Sequence, residues 1–169
     1  IDEYAFAGCA KLEEVVIPDS VNMIDGYVFA ACAGLKKVVL SASVKIIDER
    51  TFVWCKKLEE VVIPDSVNFI GCAAFEKCTG LKEVTIPDSV DTIEVGAFYQ
   101  CAGLRKVKLP SGLREIETQL FSGCKKLEEV QMPDALEEID SSAFSRCESL
   151  RRIDLPQSLQ RIGKNAFHN

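Results

Sequence analysis

Cysteine recurs in this chain at a spacing of 23 residues, with no insertion or deletion along the whole sequence. The column comprises Cys9, Cys32, Cys55, Cys78, Cys101, Cys124 and Cys147. Phenylalanine keeps the same spacing at Phe6, Phe29, Phe52, Phe75, Phe98, Phe121, Phe144 and Phe167. A fixed period of this length indicates stacked supersecondary units. No other feature of the sequence limits the fold as strongly.

Each unit reads F-x-x-C-x-x-L-x-x-V-x-I-P-x-x-V-x-x-I, so it carries six apolar columns besides cysteine. A single unit of this size cannot bury seven such side chains by itself, and neighbouring units must share a continuous core. Each fully buried large apolar side chain contributes roughly 1.5–3 kcal/mol. Most of this gain is offset by the conformational entropy lost on ordering the chain. We therefore expect stability to be cooperative between neighbouring repeats.

The order of residues within one repeat predicts its local structure. Residues 15–17 alternate in the period of a strand, and Pro18 ends that strand because proline cannot continue the ladder. The following Asp19 and Ser20 favour a turn, and Val21 and Ile24 return inward on a second short extended segment. The Ala-Phe-x-x-Cys segment, with apolar residues three apart, predicts one helical or 3₁₀ turn. Successive strands in register would form a parallel sheet.

Residues 74–93 read A-F-x-x-C-x-x-L-x-x-V-x-I-P-x-S-V-x-x-I, a string that resembles the 23-residue leucine-rich repeat of the BspA-like surface-protein family. The resemblance covers the whole chain. Departures are small, with Ser41 in place of proline and Met132 in place of an aliphatic residue. It implies a leucine-rich repeat solenoid, an α/β fold of short parallel strands and short helical turns wound into a curved right-handed superhelix. It also implies adhesion or partner binding, and it carries over no catalytic residue.

The uninterrupted period predicts a single array over residues 1–169, with about seven repeats and no linker. The sequence begins and ends inside a repeat, without the capping units that an isolated solenoid needs, so we expect a fragment of a longer array. No apolar run approaches the length of a transmembrane helix, and we expect no direct membrane insertion.

The charge and the few reactive residues exclude several function classes. A net charge of −6 argues against nucleic acid, whose binding requires clustered lysine and arginine. The single histidine, His168, lies at the end of the sequence and cannot complete a catalytic triad in the body of the chain. The recurring Pro-Asp-Ser aspartates lack the glycine-rich signature of calcium-binding solenoids. We expect no enzyme, no metal and no cofactor.

The cysteine column is interpreted as a ladder of buried, reduced thiols that act as small hydrophobic side chains. Cysteines one repeat apart have parallel Cβ vectors, which is poor geometry for a disulfide. Zinc needs converging thiolates, and the chain has no Cys-x-x-Cys pair. Cys72 belongs to a different, variable column and is expected to be exposed. It is either a modification site or a neutral substitution.

Charged columns flank the outward strand position and mostly alternate in sign from repeat to repeat. The series Glu13, Lys36, Glu59 and Lys82 alternates fully. Such columns could form a polar docking surface, or a self-neutralising ladder in which each exposed pair contributes well under about 1 kcal/mol. A local basic group is the exception, and it consists of Arg105, Lys106, Lys108 and Arg114.

Two columns, the outward strand position and the position before the inward isoleucine, are apolar in the first three repeats and polar afterwards, and they supply most of the candidate partner-binding residues. The candidates are Val16, Val39, Val62, Met23, Ile46 and Phe69, together with Tyr27 and the only tryptophan, Trp54. Contiguous exposed apolar surface commonly marks a partner site, and aromatic residues dominate binding hot spots. The alternative is that valine is favoured simply by its strand propensity, with the columns lying on different faces.

Two functions are consistent with these patterns. The first is a non-enzymatic binding module, displayed on a cell surface or outside the cell, that holds a protein or, alternatively, a glycan. The second is a structural scaffold subunit inside a larger intracellular assembly, in which the apolar early repeats would be covered.

Overall fold

Every 23-residue repeat forms one coil of a parallel β-solenoid in the computed structural model, which describes residues 1–169. We number the repeats from 1 (residues 4–26) to 7 (residues 142–164). Strand partners are always one period apart, as in Glu14 with Lys37 and Val38 with Val61. Because every repeat has the same length, the inward and outward positions stay in step along the array. The predicted leucine-rich repeat solenoid is confirmed.

Short strands lie on two faces of the solenoid. The first strand face comprises β1 (Glu14–Val16), β2 (Lys37–Val39), β4 (Glu60–Val62), β6 (Glu83–Thr85), β8 (Lys106–Lys108) and β10 (Glu129–Gln131). The second strand face comprises β3 (Ile46–Ile47), β5 (Phe69–Ile70), β7 (Thr92–Ile93), β9 (Glu115–Ile116), β11 (Glu138–Ile139) and β12 (Arg161–Ile162). Each face divides into two three-stranded sheets, with breaks between β4 and β6 and between β7 and β9.

The third side of each coil, the turn face, corrects the sequence-based expectation of a helical or 3₁₀ turn. The Ala-Phe-x-x-Cys segments are successions of turns, and the structure contains no helix. The N–H groups of Phe29 and Ala31 donate to the carbonyl oxygens of Thr51 and Val53 in the next repeat, at 2.9 and 2.8 Å. A helix would direct these donors back along their own segment. Stacking instead satisfies them between repeats.

Left-handed backbone conformations at two positions per repeat produce this arrangement. In repeat 2 they are Tyr27 and Ala31, with φ of 58° and 57°. The first column continues through Arg50, Ala73, Gly96, Gln119, Ser142 and Asn165, and the second through Trp54, Lys77, Gln100, Gly123 and Arg146. The resulting backbone ladder runs without a break from Phe6 to Arg146, past both gaps in the strand faces.

The core is one continuous cluster that fills the inside of all the coils. Phenylalanine rings stack along its axis with centroids between 5.1 and 5.6 Å apart. Offset stacking at this distance is a favourable arrangement for aromatic rings. The rings from Phe29 to Phe144 are fully or almost fully buried, whereas Phe6 at the first coil is 37% exposed. The predicted shared core is confirmed.

The Pro-Asp-Ser corner between the strand faces is a turn, as predicted, and it also joins neighbouring repeats. The turn closes where the N–H of Val21 donates to the Pro18 carbonyl oxygen at 2.9 Å. The Asp19 carboxylate accepts from the N–H of Ala42 in the next repeat at 3.1 Å. Polar corner residues therefore fix the spacing between coils as well as the turn itself.

Candidate interaction surfaces

The column cysteines inside the array are chemically protected. From repeat 2 onward they are buried, and each thiol donates to the phenylalanine carbonyl oxygen of the preceding repeat. The distance from Cys55 Sγ to Phe29 O is 3.1 Å. Burial raises the pKa of Cys55 and of Cys101 to about 12. These groups remain neutral thiols at any physiological pH.

Two cysteines differ from the rest. Cys9 is exposed because no preceding repeat covers it. Cys72 is partly buried, which corrects the expectation of an exposed thiol. Its N–H donates to Glu94 Oε2 at 2.9 Å, and its carbonyl oxygen accepts from the N–H of Arg50. Burial raises the pKa of the Cys72 thiol, so it is a weaker nucleophile than a free cysteine.

The three candidate valines lie side by side on the outer surface of the first strand face. Val16, Val39 and Val62 are register partners in β1, β2 and β4. Val16 is 63% exposed and Val62 54% exposed, and Val39 between them is half-buried. The column changes to Thr85 in repeat 4, so this apolar strip ends with β4.

A second apolar strip lies on the second strand face, across the Pro-Asp-Ser corner from the valines. Ile46 pairs with Phe69 between β3 and β5, and Met23 precedes them in the same column. Met23 is 59% exposed, Ile46 is 46% exposed and Phe69 is half-buried. Phe69 pairs in turn with Thr92, where the strip ends.

The aromatic candidates Tyr27 and Trp54 lie on the turn face. The Tyr27 ring is 4.9 Å from that of Tyr4, and Arg50 stacks 5.6 Å from its centroid. Trp54 is 48% exposed and carries the Lys77 ammonium 5.1 Å from its ring. The eight candidates therefore occupy three strips on different sides of repeats 1–3, and the structure does not join them into one patch.

The charged columns form ion pairs between vertically adjacent repeats. Lys36 contacts Glu13 at 2.9 Å and Lys82 contacts Glu59 at 3.7 Å. These pairs are exposed, so they fix register and solubility more than they stabilise the fold. The alternation of signs has the geometry of a self-neutralising ladder.

Three of the four residues in the predicted basic group are neutralised by acidic residues of the next repeat. Their partners are Glu128 for Arg105 at 3.8 Å, Glu129 for Lys106 at 2.9 Å and Glu137 for Arg114 at 2.5 Å. The hydrogen bond to Lys106 lowers the pKa of Glu129 below its ordinary value. Only Lys108 has no ion pair, so the group does not act as a basic patch.

Three carboxylates meet on the second strand face, where Glu115, Glu117 and Asp140 have oxygens within 4.8 Å of one another. The oxygens of Asp140 already accept hydrogen bonds from Thr118 and from Arg161. Burial, followed by the charge of Glu115, raises the pKa of Glu117. Hydrogen bonds to Asp140 and the raised pKa of Glu117 reduce the charge repulsion among these three carboxylates. The recurring Pro-Asp-Ser aspartates are not part of the cluster.

A family model described as the BspA type leucine-rich repeat region matches residues 1–102 and 45–169, with 6 copies. The chain belongs to the BspA-type leucine-rich repeat family. The resemblance drawn from the sequence is thereby confirmed. Proteins built from such repeats generally act as interaction modules rather than enzymes. Comparison with curated proteins gives no significant match.

Solved structures of bacterial leucine-rich repeat proteins have the same fold. A Treponema pallidum protein is 35% identical with a TM-score of 0.83, over 88% of this chain and 69% of its own. A Bacteroides ovatus protein is 30% identical with a TM-score of 0.77, over 99% of this chain and 49% of its own. A Faecalibacterium prausnitzii protein, described as a leucine rich cell surface protein, is 29% identical with a TM-score of 0.58, over 97% of this chain and 53% of its own. The BspA-type array thus spans about half the length of the last two relatives.

Sequence reasoning missed the polar side chains of the turn face in repeats 5–7, among them Gln100, Gln119 and Arg146. A signal for them was present, because Gly8 and Gly123 occupy the same column as Gln100 and Arg146. Glycine in a variable column indicates a left-handed backbone, which is typical of a turn.

No helix long and apolar enough to cross a membrane is present.

Proposed function

We propose that this BspA-type array is a non-enzymatic module that binds a protein partner through the apolar strips of repeats 1–3. The role is adhesion-like, and the array is displayed at the cell surface. The cell-surface description of the F. prausnitzii relative supports this location.

The observation that carries the proposal is the abrupt change in the outward columns after repeat 3. Val16 and Val62 are 63% and 54% exposed, and the next residue of their column, one period further on, is Thr85. The column of Ile46 likewise becomes Thr92. Threonine has a strand propensity similar to that of valine. Strand formation alone would therefore not require apolar side chains in repeats 1–3, whereas partner binding would.

The test is affinity purification from a cell-surface or extracellular-matrix fraction, followed by measurement of the affinity for the purified partner. In the test variant, Val62→Asp and Ile46→Asp place charges on the two apolar strips. The matched control, Thr85→Asp and Thr92→Asp, places the same charges in the same columns one or two repeats away. All four positions are exposed or close to the surface, so the solenoid should tolerate the changes.

We expect the test variant to lose at least about tenfold in affinity, since a desolvated hot-spot residue commonly contributes more than 1 kcal/mol. The control should bind like the unmodified chain. Equal affinity of both variants would refute the apolar strips as the binding surface. If the full-length protein is recovered only in a persistent large intracellular assembly, the scaffold function is favoured instead.

A further inference from the structure

A polar notch of about 220 Å³ lies on the turn face of repeats 5–7, away from the apolar strips of repeats 1–3. It is lined by residues of three consecutive repeats, all of them uncharged except Arg146. The lining residues include Tyr99, Gln100, Gln119, Ser122, Gly123 and Arg146. One side chain among its lining residues is positively charged and none is negatively charged.

One of the residues that line the notch is a glycine in a column of long side chains. Gln100, Gly123 and Arg146 occupy equivalent positions in repeats 5, 6 and 7, all with positive φ. A Cβ atom at Gly123 would lie 3.0 Å from Gln100 Cγ. The Gln100 side chain therefore packs over Gly123, and a side chain at position 123 would have to displace it.

The hydrogen-bonding groups at the notch are held in place by the protein. Gln100 Nε2 donates to the Tyr99 hydroxyl at 3.0 Å, which leaves the Gln100 carbonyl oxygen free to accept. Ser122 is only 7% exposed and lines the notch, yet its hydroxyl has no protein partner. The equivalent Ser145 donates to the His168 carbonyl oxygen at 3.0 Å. The Ser122 hydroxyl reaches the surface of the notch, where it is free to bond to a ligand.

The notch also carries one positive charge, on Arg146. Arg146 is exposed and forms no salt bridge, whereas Arg105 and Arg114 on the strand faces pair with glutamates. A guanidinium group binds a carboxylate through two parallel hydrogen bonds. An unpaired arginine beside fixed neutral donors and acceptors therefore matches a ligand that carries both a carboxylate and hydroxyl groups.

We propose that this notch binds an acidic saccharide. The carboxylate of one sugar residue pairs with Arg146, its hydroxyls bond to Ser122 and Gln100, and its apolar ring face packs against Tyr99. An acidic peptide could also pair with Arg146, and hexaglutamate in the experiment distinguishes it from a sugar. This site goes beyond the proposed protein-binding function and does not depend on it, because the two surfaces share no residue.

The experiment is a titration of the ¹⁵N-labelled chain, followed by NMR, with a panel of acidic oligosaccharides that includes 3′-sialyllactose and trigalacturonate. Lactose serves as the neutral counterpart and a hexaglutamate peptide as the acidic non-sugar. Two variants test the assignment. Arg146→Gln removes the charge, and Gly123→Asn displaces Gln100 from its place in the notch with a residue that tolerates positive φ. Gly8→Asn is the matched control, since Gly8 has a φ of 74° and nothing within 4 Å of its Cβ position.

We expect at least one acidic oligosaccharide to shift the amide signals around Ser122 and Gly123, with an affinity about tenfold or more above that of lactose. Arg146→Gln should remove this preference, Gly123→Asn should abolish binding, and Gly8→Asn and the Val62→Asp, Ile46→Asp variant should bind normally. The proposal is overturned if no member of the acidic panel binds, if Arg146→Gln binds as well as the unmodified chain, or if hexaglutamate binds more tightly than the sugars.

Discussion

The Cys78 thiol donates a hydrogen bond to the carbonyl oxygen of Phe52, one repeat earlier, at 3.2 Å. The same oxygen accepts from the N–H of Cys55 within its own repeat at 3.1 Å. Both lone pairs of a buried carbonyl are thereby used. Cysteine suits this position because its thiol is small and apolar enough for the core and is still a weak donor.

Burial of the thiols makes stability sensitive to alkaline pH. The pKa of Cys55 is raised from 9.0 to about 12, so folding favours the neutral thiol. Its contribution is complete below about pH 9 and is lost as the pH rises toward about 12. Urea unfolding at pH 8, 9.5 and 11 should show a smaller loss of stability in Cys55→Ala than in the unmodified chain. Parallel losses in the two proteins would contradict this linkage.

The cysteines should differ sharply in reactivity. With iodoacetamide at pH 8 and no denaturant, we expect Cys9 to be alkylated first because it is exposed, and Cys72 more slowly because burial raises its pKa. The six buried column cysteines should react only after unfolding. Peptide mass spectrometry of a time course measures each site. Rapid modification of Cys78 in the folded chain would contradict the buried ladder.

Loss of one ring from the middle of the phenylalanine stack should be costly. Phe75 is fully buried and stacks on Phe52 and Phe98 at 5.3 and 5.1 Å. We expect Phe75→Ala to lower the free energy of unfolding by about 3–5 kcal/mol, through lost burial and the remaining cavity. Phe6→Ala is the matched control, because Phe6 is 37% exposed and has a stacking neighbour on one side only. Denaturant titrations of both variants check the difference, and equal losses would count against a continuous core.

The left-handed positions of the turn face predict a stabilising glycine. Ala31 has a φ of 57° and an exposed side chain. Alanine in the left-handed region carries a steric cost of about 1–2 kcal/mol, which glycine avoids. This gain is larger than the entropic penalty of glycine, roughly 0.5–1 kcal/mol. Ala31→Gly should therefore raise the free energy of unfolding, measured by denaturant titration.

The nearby Ala33 provides the control, because it is exposed and does not adopt a positive φ. Ala33→Gly should lower stability by about 0.5–1 kcal/mol, since only the entropic penalty remains. Opposite signs for the two substitutions would support the left-handed turn face. The same sign for both would contradict it.

The strands and the core columns were predictable from local patterns. Alternation of apolar residues indicates a strand, and the fixed period indicates which residues occupy equivalent positions. Residues 15–17 form a strand that ends at Pro18, and Phe52 and Leu58 are buried as the columns require.

The turn segment around Ala31 was mispredicted as helical, since apolar residues three apart fit a helical turn and this turn equally well. What separates the two is the acceptor of alternate N–H groups. Those of Phe29 and Ala31 donate to the next repeat, whereas those of Ala30 and Cys32 donate three residues back in their own repeat.

The sequence by itself determined the fold and the shared core. A period of 23 residues leaves stacking as the way to bury every apolar column at once. Only the tertiary structure decided which variable side chains share a surface. It separated Val62 from Trp54 and brought Gln100, Ser122 and Arg146 to one notch. The physical reason is that backbone direction at the left-handed residues depends on hydrogen bonds between repeats, which no single repeat encodes.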